Sequence, residues 1–208
     1  MNLLQLSKLI LAAAVLLPIS ACVPFAAAGT AVVGTTIAEE RSVGDKIDDN
    51  IIEIKVKEAY LQNETSEMFE RISVNAIEGR VLLTGSVKSV QYRIGAEELA
   101  WKISGVKEVI NEIVIDKKEL SDHAKDMWIA SAVRSKLLFE KDLRSINYLV
   151  DVNNGTVFLL GLAQDEGELN RAIKIASTVK GVKNVVNHVI LVDDPRRNAS
   201  NWNKKKEM

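Results

Sequence analysis

The chain has one cysteine, two histidines and a formal net charge of −1 across 208 residues. Each scarcity removes a class of function. A lone thiol at Cys22 allows no internal disulfide, and an exported domain with spare thiols would risk wrong pairings. His123 and His188 are far apart, and no Cys or His spacing suits a bound metal. Without a nearby His, the many Ser and Asp residues compose no nucleophile–base pair. No glycine-rich loop follows a strand in a phosphate-cradling arrangement, because Gly79 and Gly155 fit hairpin turns. The balance of 27 basic and 28 acidic residues argues against bulk nucleic-acid binding. We therefore expect no catalytic residues, no metal site and no cofactor: a binding protein rather than an enzyme.

The cysteine itself ends an apolar run. Lys8 is the only charge before Leu9–Leu17, a stretch of signal-core length, and Ile19-Ser20-Ala21 precede Cys22. The pattern resembles a bacterial lipobox. That resemblance implies cleavage before Cys22, a diacylglycerol on its sulfur and an acyl chain such as palmitate on its new amino terminus. Two plainer readings stand beside it. Cys22 can be an ordinary small hydrophobe, or the uncharged run from Leu9 to Ala38 can be a transmembrane helix. Pro18 and Pro24, with Gly29 and Gly34 beyond, count against the helix. In Gram-negative sorting, Val23 in place of an aspartate implies the outer membrane, facing the periplasm. Residues 23–40 read as a tether of roughly 20–25 Å by the random-coil estimate.

Beyond the tether the chain repeats itself. Residues 72–115 laid over 148–191 at a constant offset of 76 give 12 identities in 44 positions, without a gap. They include Gly79/Gly155, Gly85/Gly161, Gly105/Gly181, Val81/Val157, Leu83/Leu159 and Asn111/Asn187. Glycines and aliphatic residues dominate, so backbone geometry and core are what repeat. In the second copy, Tyr148, Val150 and Val152 alternate with Leu149, Asp151 and Asn153, the period of a half-buried strand. Asn154-Gly155 suits a tight turn whose two central residues need positive φ. Thr156–Leu160 is the returning strand, ended by Gly161. Helical spacing covers residues 164–179, with Gly181 at the C-terminal turn, and Val182–Val192 reads as a third strand. Asp122–Leu138 is a helix ahead of these elements, with Ser121 or Asp122 as N-cap. The order is α-β-β-α-β, and the first copy is expected to follow it from Asp48 to Ile115.

The order, together with GRVLLTG at 79–85, GTVFLLG at 155–161, GVKEV at 105–109 and GVKNV at 181–185, resembles the BON domain. RSVGDKIDD at 41–49 and DMWIASAVRSKLL at 126–138 narrow the resemblance to dual-BON outer-membrane lipoproteins. It implies an α+β fold of two tandem BON domains, each a small mixed three-stranded sheet covered by two helices. The expected organisation is a signal peptide at 1–21, lipidated Cys22 and tether at 22–45, and domains at 46–117 and 124–194. A linker at 118–123 joins them, and a basic tail at 195–208 lacks fixed structure. The resemblance further implies binding of phosphatidylglycerol through the second domain, and roles in envelope integrity and cell division.

Helical angle separates the faces of the second copy's first helix. Ile129, Val133 and Leu137, with Ala130 beside them, form its core face. Trp128, Ala132, Ser135 and Phe139 form a separate stripe, about 140° from the core direction. Lys125, Arg134 and Lys136 flank it, and an indole beside cationic side chains suits an anionic phospholipid surface. The first copy offers Ile51, Lys55, Glu58 and Leu61 instead, with no aromatic residue. Two alternatives remain at this point. Trp128 and Phe139 can be buried against the first domain, and the stripe can dock an envelope assembly protein rather than lipid. His188 is expected at the surface. The tail, with Arg196, Arg197, Trp202 and Lys204–Lys206, is either a second lipid contact or solvated chain.

Overall fold

The computed structural model describes residues 43–63, 66–116 and 123–197. The expected signal peptide, Cys22 and most of the expected tether lie outside these residues. So do the linker up to Asp122, with its N-cap candidates, and the tail from Asn198.

The first repeat runs α1 (Val43–Gln62), a short α2 (Ser66–Arg71), β1 (Ile72–Ile77), β2 (Arg80–Val87), α3 (Val90–Trp101), β3 (Glu108–Asn111) and β4 (Val114–Ile115). The second runs α4 (His123–Phe139), a 3-10 turn at Ser145–Asn147, β5 (Tyr148–Asn153), β6 (Thr156–Ala163), α5 (Glu166–Ser177) and β7 (Asn184–Leu191). A last 3-10 turn, Pro195–Arg197, closes the described chain. In each sheet the central strand pairs antiparallel with the hairpin partner and parallel with the strand after the helix. The repeats are thus α+β, as expected.

Four details differ from the expectation. Helix α1 begins at Val43, before Asp48 and within the span assigned to the tether. Helix α2 is an addition peculiar to the first repeat. The first repeat's third strand breaks at Glu112–Ile113, where Ile113 turns into the core. Strand β6 continues through Gly161 to Ala163 rather than stopping there. Gly161 belongs mid-strand because a Cβ at that position would stand 2.1 Å from the Asn147 carbonyl oxygen. Gly85 has the same role against Arg71, with a corresponding gap of 2.0 Å.

Each hairpin turn is held by a buried carboxylate. Glu78-Gly79 and Asn154-Gly155 all have positive φ, the type I′ geometry. Asp49 of α1 accepts the Glu78 and Gly79 backbone N–H groups, each at 2.8 Å. Asp126 of α4 does the same for Asn154 at 2.6 Å and Gly155 at 2.8 Å. Both aspartates are nearly inaccessible. They are short enough to reach the turn from the helix and charged enough to offset two desolvated donors.

The repeats meet sheet against sheet. Val81, Leu83 and Val87 of β2 point at their own helices, while Ile77 and Leu82 pack with Phe158 and Leu160 of the other repeat. Counterpart residues touch across the joint: Asn75 donates to Asp151 at 3.5 Å, and His188 Nε2 lies 2.8 Å from Glu112 Oε1. Contact between residues 76 apart is what an approximate two-fold axis between repeats produces. Thr84 also bonds Asp151, and Asn153 donates to the Gly85 carbonyl at 2.8 Å. Arg80, 3% exposed, donates to Glu108 and to the His188 carbonyl, each at 2.8 Å. His188 is therefore an interface residue and not the surface position expected, because β7 lies along the joint rather than on an open face. The tail, too, is ordered at its start. Arg197 bonds Glu78 at 2.7 and 3.0 Å, and Asp194 holds Arg196 at 2.6–3.1 Å. The Arg196 guanidinium keeps the Asp194 carboxyl below its usual range. The assigned tail thus begins as an ordered continuation that reaches from the second repeat to the first.

Removing either turn carboxylate strands two buried N–H groups. Asp126→Ala and Asp49→Ala should each cost about 1–3 kcal/mol, read as a lower urea midpoint.

Candidate functional site: an exposed apolar face on helix α4

Helix α4 is held by its inner side. Ile129, Val133 and Leu137 are fully buried among Tyr148, Val150, Val157 and Leu159, and Asp126 adds its turn contact. Burial desolvates the Tyr148 phenol and, with the neighbouring Glu168 carboxylate, pushes its pKa upward. This inner side fixes the helix rotation, and with it the direction of the remaining side chains.

The outer side is apolar and open. Trp128 is 54% exposed and Phe139 79% exposed. Ala132 is half-buried and Ser135 exposed, so the expected stripe faces outward from its own core. Because the domains join through their sheets, Trp128 and Phe139 are not covered by the first repeat. Met127, 72% exposed, and Leu138, 65% exposed, extend the face on the other flank. At about 100° per residue these two lie about 80–120° from Trp128 and Phe139, with Ala124, Ser131 and Ser135 between. A single stripe traced along the sequence misses Met127 and Leu138. Placing every outward apolar residue on the wheel finds them.

The cationic residues are not equivalent. Lys125 is exposed on the Trp128 flank. Lys136 is exposed on the same flank, with its Nζ donating to Thr178 at 3.2 Å. Arg134 lies on the opposite flank and donates to the Val150 carbonyl of edge strand β5. That bond draws its guanidinium toward the protein. A groove of about 460 Å³ adjoins this flank, lined by Met127, Ser131, Arg134, His123, Thr84 and Asp151 among others. The arrangement offers an apolar ridge with basic residues at its edges, suited to an interface between hydrocarbon and water. Among the described residues no group of His, Cys, Asp or Glu is placed to hold a metal, and no helix is long and apolar enough to cross a membrane.

Two α-β-β-α-β units with these glycine-anchored strands define a tandem BON-domain protein, and the BON domain family matches residues 48–117 and 125–193. The chain belongs to the dual BON-domain, DolP-like lipoproteins. It is 32% identical to outer membrane lipoprotein DolP of Haemophilus influenzae, over 89% of this chain and 96% of that protein. An uncharacterized protein in the gshII 5' region of Anaplasma centrale is 42% identical over 70% of this chain and 95% of its own length. A 21 kDa hemolysin of Actinobacillus pleuropneumoniae is 33% identical over 73% of this chain and 78% of its own.

Since Trp128 contributes little to the core, Trp128→Glu should change stability by no more than about 0.5 kcal/mol. Ile129→Glu, one residue on, buries a charge and should abolish cooperative unfolding by circular dichroism.

Proposed function

We propose that this protein is an outer-membrane lipoprotein, facing the periplasm, that binds anionic phospholipid through the outer face of α4. Acyl chains on Cys22 supply the first membrane contact, with Val23 directing the chain to the outer membrane. The α4 face supplies the second. The acyl chains hold the protein in the bilayer, and the α4 contact adds a preference for particular headgroups.

The observation that carries the reading is the exposure of Trp128 and Phe139, with Met127 and Leu138, on a helix whose other side is fully buried. Water disfavours a contiguous apolar face of this kind. Lys125 and Lys136 sit where the indole meets solvent, and they select negatively charged headgroups such as phosphatidylglycerol. The likeness to an outer membrane lipoprotein supports the location. Upholding envelope integrity, including at division sites, is the physiological role we infer for such a two-contact protein.

The test is binding of the lipid-free variant Cys22→Ser, without residues 1–21, to vesicles containing phosphatidylglycerol. Wild-type sequence should bind, added salt should weaken binding, and Trp128→Glu should reduce it at least tenfold. Unchanged vesicle binding by Trp128→Glu, with loss of a complex with an envelope assembly protein, would instead make the face a protein-docking site.

A further inference from the structure

Helix α1 carries its own outward stripe, unlike that of α4. Ile47, Ile51, Ile54 and Leu61 are 54%, 42%, 65% and 53% exposed. With Glu58, they recur at alternating steps of four and three residues, the seam spacing of two helices packed side by side. Nothing in the α1 core requires these residues. Ile52, Val56 and Tyr60 fill that role on the opposite side of the helix.

We propose that this seam is where a second copy of the protein docks, α1 against α1, antiparallel. Charge along one flank sets the direction. Asp48 and Lys55 lie on the same side of the stripe, seven residues apart. In an antiparallel pair related by a two-fold axis, each flank meets itself with direction reversed. Setting Ile51 against the partner's Ile54 brings Asp48 opposite the partner's Lys55, and Lys55 opposite the partner's Asp48. The other flank carries Asn50 and Lys57, which meet as a neutral and a basic residue without like-charge conflict. In a parallel pair each flank would meet the partner's other flank, setting Lys55 beside the partner's Asn50 and leaving no pair of opposite charges. Leu61 then falls opposite the partner's Gly44, an exposed position with no side chain to oppose it. Glu58, the one acid in the seam, accepts a bond from Gln62 at 3.0 Å and lies opposite the partner's Ile47, away from the centre.

The four side chains supply roughly half of the ~800 Å² per partner of a standard interface. The association is accordingly weak and transient. It leaves α4 uncovered, since α4 lies beyond the sheet joint on the other repeat.

The test mixes full-length chains labelled with nitrogen-14 and nitrogen-15 in neutral detergent. A zero-length carbodiimide then joins carboxylates to amines in direct contact. The expected product is a mixed-isotope peptide linking Asp48 to Lys55. Ile54→Glu, at an exposed position, should lower its yield at least fivefold while leaving the melting temperature unchanged. Asp48→Lys and Lys55→Asp should each remove the link, and the doubly swapped chain should restore it. Absence of the mixed-isotope product, a yield indifferent to Ile54→Glu, or links joining α1 of one copy to α4 of another would each overturn the proposal.

Discussion

The structure depends on one contact above the others: the outer face of each small sheet needs cover, and the other repeat provides it. A three-stranded sheet with two helices on one side leaves its other side bare. Here Leu82, Ile77, Phe158 and Leu160 close that side from both directions, with Ile110, Leu149 and Val186 around them. The result is four layers, helices outside and two sheets within. Buried apolar area supplies the driving force, at roughly 25 cal/mol per Å². The polar residues fix the register. Arg80 could not be buried at 3% exposure without Glu108 and the His188 carbonyl to receive its N–H groups. Having both sheets inside puts both first helices outside, and this is why the Trp128 face is open to solvent.

The two outer helices then show how little of a fold's surface is dictated by its interior. α1 and α4 occupy equivalent places and make the same inner contacts, down to an aspartate on the hairpin turn. Their outward residues differ in kind. α4 presents two aromatic rings flanked by Met127 and Leu138, while α1 presents isoleucines and a leucine interleaved with acids and bases and no aromatic ring. Wide flat rings beside lysine suit a fluid interface with no fixed register, where the apolar atoms need only depth. Aliphatic side chains at regular steps suit a second helix, where register decides whether knobs meet holes.

Much of this was legible in the sequence. The gapless repeat marked two domains, Asn154-Gly155 marked a turn with two positive φ values, and Ile129, Val133 and Leu137 marked the inner side of α4. The joint between domains was missed, although its signal was present. RVLLTGSV and TVFLLGLA do not alternate apolar with polar as strands open on one face do; they are close to continuously apolar. Strands of that kind are buried on both sides, so the second side had to meet something. Leaving their second face unassigned left the fate of Trp128 undecided and put His188 on the surface. The break at Glu112–Ile113 and the helix Ser66–Arg71 had no comparable signal, because each depends on a packing partner distant in the chain. The role of Gly161 was misread for the same reason. Its constraint comes from the Asn147 carbonyl, not from an adjacent turn.

An approximate two-fold joint also limits where the repeats can differ. Leu82 and Phe158 are counterparts that enter the same cluster, so enlarging one requires room beside the other. Glu112 and His188 are counterparts that bond each other, an arrangement that two identical residues could not supply as well. Asn75 and Asp151 form a second such pair. Close to the axis, then, a change in one repeat is felt by the matching position in the other, and the repeats diverge there as complementary pairs. Far from the axis, on α1 and α4, each position faces only solvent or a ligand, and divergence is free of that coupling. The interior thus holds the two repeats to one geometry while the outer helices are left to take separate partners.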